Sequence, residues 1–297
     1  MASQDDSQQV TYALYRYTPS IAAAAVFAGI FFLLAILHTV LLFRYRARFF
    51  TPYIVGLLFE TAGYIARIFS HYDTVALGPY IVQTMLILVA PPLFAASIYM
   101  TLGRLILHLD AESESLLRVK YIAKIFVVGD VISFLLQCGG GGYMAAGSLS
   151  AMEVGADIVV GGLAVQLLFF GFFIVASAIF HYRVKTNPRY LARKEARGRA
   201  SWQYMLWCIY GACILILIRS VYRVVEFVQG NDGYIMKREY LLYIFDACLM
   251  ALQAVLLLIS YPGKILRGKV PRDGDVQLES RAESADGFLG HGHGSLK

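Results

Sequence analysis

The chain has 297 residues, of which 58% are hydrophobic and 15% charged, and its mean hydropathy is +0.61. An ordinary soluble domain carries charge on about a quarter of its residues, so that class is excluded. The net charge of +6 needs no nucleic acid to explain it, because the basic residues gather on one side of the apolar stretches that follow.

Residues 1–18 are polar, include Asp5 and Asp6, and lack the basic start of a secretory signal; they are expected to form an extracytosolic tail. A hydrocarbon core about 30 Å thick calls for about 20 apolar residues per spanning helix. Seven stretches answer to that: residues 19–43, 52–70, 79–102, 121–138, 156–180, 203–222 and 239–260. They are too long and continuous for the alternating strands, about 10 residues each, of a membrane barrel. The expected fold class is all-α: a polytopic seven-transmembrane helix bundle forming one membrane domain over residues 19–262. Residues 103–120 form a mixed-charge loop, 139–155 a glycine- and serine-rich one, and 183–201 a basic one. Residues 263–297 turn polar and end near His291 and His293; too little apolar content remains to offset ordering entropy, and a disordered cytosolic tail is expected.

Orientation follows from the lysines and arginines. Eighteen lie on the side reached by residues 44–48, 104–124, 183–199 and 264–272, against Arg16, Lys237 and Arg238 opposite. The N-terminus is therefore expected outside and the C-terminus in the cytosol. Arg183, Lys185, Arg189, Arg193, Lys194, Arg197 and Arg199 would then touch anionic inner-leaflet lipid. Cys138, Cys208, Cys213 and Cys248 all fall in or at the end of apolar stretches, which gives no disulfide framework and no metal spacing.

Four stretches carry ionisable residues. Each costs about 2.5–3.5 kcal/mol at a helix centre on insertion scales, and such residues mark candidate functional sites. Glu60, Tyr64 and Arg67 share one face of the second stretch; Asp130 and Gln137 share a face of the fourth. Arg219, Arg223 and Glu226 lie at the outer end of the sixth, and Asp246 in the seventh shares a face with Gln253. Two readings stand: interhelical ion pairs that fix packing, or one network lining a cavity for an amphipathic or charged substrate. A buried carboxyl such as Glu60 or Asp130 also suits proton binding and release. Pro91 and Pro92 sit mid-stretch and must kink the helix or act as a hinge, leaving carbonyls to be satisfied inside the bundle. Gly139 to Gly142 read as a backbone approach to a ligand or as a flexible helix end.

Other classes fit poorly. The chain has no P-loop pattern and no lysine in the seventh stretch, and its scattered histidines offer no three-ligand zinc site and no haem pair. Neither Leu102-Gly103-Arg104 nor Tyr261-Pro262 matches a common receptor signature. No cofactor and no enzymatic activity are expected.

The polar residues carry a resemblance. Glu60-Thr-Ala-Gly-Tyr-Ile-Ala-Arg67, Ala90-Pro-Pro-Leu-Phe-Ala-Ala-Ser-Ile-Tyr-Met100, Phe126-Val-Val-Gly-Asp130 with Ser133 and Gln137, Arg219-Ser-Val-Tyr-Arg223 with Glu226, and Glu239 with Phe245-Asp246 resemble the fungal RTA-like family, also called lipid-translocating exporters. The resemblance implies seven helices in a fungal membrane, commonly the plasma membrane, and resistance to sterol-like or other amphipathic toxicants. It also implies movement of sphingoid long-chain bases and, in some relatives, porphyrin traffic. The expected function is thus a facilitative or proton-coupled lipid or amphipath translocator. Glu60, Asp130 and Asp246 would be head-group or proton sites, and Arg67, Arg219 and Arg223 ion-pair partners or anion contacts. The alternative is a seven-transmembrane sensor that regulates lipid traffic indirectly.

Overall fold

The computed structural model describes residues 19–72, 77–144, 149–187, 201–229, 233–235 and 238–266. Its long helices are α1 (Ile21–Tyr45), α2 (Thr51–Tyr72), α3 (Leu77–His108), α4 (Val119–Met144), α5 (Leu149–Thr186) and α6 (Ser201–Gln229). A composite α7 follows: one turn at Glu239–Leu242, a π-helical segment Tyr243–Cys248 and the helix Leu249–Ile259. The short α8 spans Pro262–Leu266, so helix extends past the residue at which the sequence turns polar. Among the described residues there is no strand.

Among the described residues six helices are long and apolar enough to cross a membrane; α4, although 26 residues long, is not among them. Lys120, Lys124, Asp130 and the glycine run dilute its apolar content. Consecutive helices pack side by side and α7 returns to α1, closing a ring, while α3 also reaches α6. Leu135, Leu168 and Trp207 are each more than half exposed on the outer surface, as a lipid-facing belt requires. Two aromatic groups inside hold the helices around the polar residues. Phe27, Phe31, Tyr64 and Tyr243 stack where α1, α2 and α7 meet. Tyr99, Phe126, Phe170 and Phe173 join α3, α4 and α5.

The expected loop at 103–120 is shorter, because α3 runs on to His108 and a 3-10 turn occupies Glu112–Glu114. The glycine run is not a loop. Gly139 to Gly142 continue α4 to Met144, and a Cβ on Gly140 would lie 2.6 Å from the Gly155 carbonyl oxygen of α5. Glycine's poor helix propensity is offset by the close α4–α5 approach that only a bare Cα allows. Of the glycines in α5, Gly162 has the same role against Ser133 and Gln137, whereas Gly161 and Gly171 face open space.

Candidate functional site: a buried charge network

Tyr53, Glu60 and Arg67 recur every seven residues on α2, and Glu239, Asp246, Gln253 and Ser260 do so along α7. Two helical turns bring a residue back to the same face, so each helix carries a polar row. The rows face each other in opposite directions. Arg67, 1% exposed, donates from Nη2 to Glu239 Oε1 at 2.9 Å and from Nε to the Tyr243 hydroxyl at 3.1 Å. That hydroxyl donates on to Glu239 Oε1 at 3.3 Å, and the Ser20 backbone N–H reaches the same oxygen at 2.8 Å. One carboxylate thus ties the starts of α1 and α7 to the end of α2.

Seven residues along α7, Asp246 lies within the π-helical segment, a geometry that recurs at functional sites. Arg219 Nε donates to one of its oxygens and Arg223 Nη2 to the other. Arg223 Nη1 also donates to Glu226 Oε2 at 3.0 Å. All four are buried, including Glu226, which the sequence places at the outer end of its stretch. The second Arg219 contact answers to the first proline of the pair. Pro91 has no N–H, so the carbonyl four residues earlier, that of Ile87, has no donor within α3. Arg219 Nη2 fills the vacancy at 2.8 Å. α3 continues as helix through Pro91 and Pro92.

Glu60 completes this centre. It is 0% exposed, neither of its oxygens has a hydrogen-bond partner, and the charges acting on it are those of Asp246, Arg219 and Arg223. The inventory is uneven: two guanidiniums, Arg219 and Arg223, serve three carboxyls, Asp246, Glu226 and Glu60. The centre becomes neutral when Glu60 holds a proton or when a cation joins it. Arg223 Nε has no acceptor, so one donor stands idle beside the unpartnered acid.

Asp130 and Gln137 share a face of α4, but α4 carries that face toward α3 and α5, not toward the arginines. Asp130 is 3% exposed, its two oxygens lack hydrogen-bond partners, and its polar neighbour is Tyr99. Gln137 Nε2 donates to Ser133 Oγ at 2.7 Å and to Gln166 Oε1 at 3.1 Å, while Ser133 donates to the Gly162 carbonyl at 2.6 Å. These bonds lock α4 to α5. One helical turn from Asp130, Phe126 joins Ile122, Phe173 and Phe180 in lining a small apolar pocket of about 10 Å³, room for about one water.

The single network expected from the sequence is therefore two centres. Glu60, Arg219, Arg223, Glu226 and Asp246 form one, with Arg67 next to them, and Asp130 and Gln137 belong to the other. Tyr243, Tyr99 and Gln166 escape a charge-based search, though the seven-residue spacing on α7 points to Glu239. Arg183 and Lys185 are exposed in the last turn of α5; Arg189, Arg193, Lys194, Arg197 and Arg199 lie outside the described residues, as do the tails 1–18 and 267–297. Among the described residues no group of histidine, cysteine, aspartate or glutamate is arranged to hold a metal ion.

Fold and site define a polytopic helical membrane protein with acids and arginines buried between its helices. Within that class, the chain belongs to the RTA1-like proteins, whose family pattern matches residues 53–269. It is 34% identical to Protein RTA1 of Saccharomyces cerevisiae over 84% of this chain and 85% of that one. It is 36% identical to Protoporphyrin uptake protein 1 of the same yeast, covering 81% and 89%. It is 26% identical to the Sphingoid long-chain base transporter RSB1 of Saccharomyces cerevisiae, covering 80% and 70%. No solved structure matches.

Proposed function

We propose that the protein is a seven-span translocator of amphipathic lipids, with its N-terminus outside and its C-terminus cytosolic, working by facilitation or by proton coupling. The observation that carries this reading is the uneven charge inventory around Glu60. A centre built only to hold helices together would match its charges, since an unpaired buried charge is strongly destabilising. A carboxyl without a partner is suited to a cation that comes and goes. The ammonium of a sphingoid long-chain base fits Glu60, and its neighbouring hydroxyl is an acceptor for the idle Arg223 Nε. Asp130, whose two oxygens also lack hydrogen-bond partners, is a second place for an ammonium head. A relative named as a sphingoid long-chain base transporter supports the same substrate class. The plasma membrane is the proposed location, and the exposed Arg183 and Lys185 are proposed to touch anionic inner-leaflet lipid.

The test is transbilayer movement of a labelled long-chain base in liposomes containing the purified protein, with Glu60→Gln and Asp130→Asn for comparison. A charge-assisted hydrogen bond is worth about 1.5–3 kcal/mol, so each variant is expected to lose about tenfold or more in rate while remaining folded. No movement by folded wild-type protein, across several lipid head groups, would favour a sensor that acts on lipid traffic indirectly.

A further inference from the structure

Beyond the charge network, toward the end of the bundle formed by Phe50 and Tyr261, lies a third polar group that the reading above does not use. His38 of α1, Tyr53 of α2, Gln253 of α7 and the following Ser260 and Tyr261 are each 3% exposed or less. Six of their atoms have no hydrogen-bond partner: His38 Nδ1, the Tyr53 and Tyr261 hydroxyls, both amide atoms of Gln253 and Ser260 Oγ. Tyr53 and Gln253 lie side by side without a well-formed bond. Native proteins satisfy roughly 90% or more of buried backbone polar groups and the large majority of buried side-chain ones, so this concentration calls for a visitor.

The chemistry of His38 says which visitor. Its Nε2 lies 3.1 Å from the Ala254 carbonyl oxygen. A carbonyl only accepts, so Nε2 carries the hydrogen and Nδ1 presents a bare lone pair. Around the imidazole stand the rings of Tyr53 at 4.9 Å, Phe50 at 5.7 Å and Tyr261 at 6.0 Å between centroids. Aromatic faces at about 6 Å attract a cation, so the cage suits an imidazolium. The titratable groups facing the ring are Tyr53 from α2 and Tyr261 from the segment after α7. From α7 itself it meets the Ala254 backbone, and from the turn before α2 the Phe50 ring. Among the described residues no charged side chain acts on it.

We propose that His38 Nδ1 is a proton-binding site, the inner member of a relay whose outer member is the centre around Glu60 and Asp246. Proton binding stands on the local geometry; its coupling to transport rests on the translocator reading. A hydronium ion gives its proton to the Nδ1 lone pair and leaves as water, one O–H bond breaking as the N–H bond forms, while Nε2–H keeps its bond to the Ala254 carbonyl. Charging an imidazole in a sealed apolar cage is costly, so the proton arrives when this end of the bundle admits water, with Tyr53 and Gln253 ready to bind that water. Between the two members lies one heptad of α2 and α7, a rise of about 10 Å, filled by the fully buried Leu57 and Met250. That apolar layer separates the two proton sites, which is what coupling requires and a leak does not.

The direct test is the imidazole 15N spectrum of a variant in which His38 is the only histidine, titrated in lipid nanodiscs. The expected result is an Nε2–H tautomer at high pH that converts to the doubly protonated form as pH falls. An Nδ1–H tautomer, or a ring that stays neutral until the protein unfolds, would overturn the site. For coupling, the liposome assay is run with and without a pH gradient on wild type and His38→Gln, with Tyr53→Phe as a variant that leaves the histidine in place. Wild type is expected to move the base faster with the gradient, and His38→Gln to show a rate ratio of unity; an undiminished ratio would overturn the relay. If wild type moves no base at all, the translocator reading fails, and the relay with it, while the 15N titration still decides the proton site.

Discussion

Asp246 holds two arginines with one carboxylate, which makes Asp246→Asn the sharpest test of the network. The substitution keeps the side chain's size and removes the charge shared by Arg219 and Arg223, which are 2% and 8% exposed. Breaking a buried ion pair from one side costs about 3–5 kcal/mol, because the remaining charge stays buried. Arg219 retains the Ile87 carbonyl and Arg223 retains Glu226, so the lower end, about 3 kcal/mol, is expected. Glu239→Gln is the control: its side chain is 19% exposed, a glutamine oxygen can still accept from the buried Arg67, and Arg67 keeps the Tyr243 hydroxyl, which sets its cost near about 1 kcal/mol, as for one weakened hydrogen bond. Thermal unfolding can be followed with a thiol-reactive dye, since Cys208 and Cys213 are free and buried. At about 2–4 °C per kcal/mol for a chain of this size, Asp246→Asn should lower the midpoint by about 6–12 °C and Glu239→Gln by about 2–4 °C. Adding Arg219→Met to Asp246→Asn should recover part of the loss, because the pair is coupled. Equal shifts for the two carboxylates, or no coupling between Asp246 and Arg219, would show that Asp246 does not hold the arginines.

Two further outcomes follow from the same contacts. Pro91→Ala gives α3 a backbone N–H that competes for the Ile87 carbonyl, so Arg219→Met should cost about 1 kcal/mol less in that background than in wild type, part of a charge-assisted bond; a thermal double-mutant cycle measures it, and zero coupling would disconnect the proline from the arginine. Gly140→Val should destabilise by about 1–3 kcal/mol through overpacking, because its Cβ would press on Gly155 and Val159, whereas Gly139→Ala meets nothing within 4 Å and should be neutral or mildly stabilising. The same dye assay separates the two, and a matched loss at both positions would place the α4–α5 contact elsewhere.

The helices and their buried acids are legible in the sequence for one reason: a charge in an apolar stretch stands out without any knowledge of the fold. Spacing within one helix then places Arg219, Arg223 and Glu226 on a common face, and the structure keeps them there. Pairing between helices is not legible in that way. Asp130 and Asp246 look alike in sequence, yet α4 turns Asp130 toward Tyr99 and α7 turns Asp246 toward two arginines. The glycine run misleads because composition reports glycine's cost in a helix but not the neighbouring backbone that offsets it at Gly140. Pro91 lies between these cases: covalent structure alone dictates a carbonyl in need of a donor, and only the packing of α3 on α6 names Arg219.

Once the partners are known, the acids divide by what they bind. Asp246, held on both oxygens, and Glu239, held by α1, α2 and Tyr243, have the contacts of residues that position helices. Glu60 and Asp130 are about as deeply buried as Asp246 and hold nothing. If burial alone were the reason for the three buried carboxyls, Glu60→Gln and Asp130→Asn should cost as much stability as Asp246→Asn. If the division is functional, those two variants should unfold at or above the wild-type temperature and fail only at moving a cation.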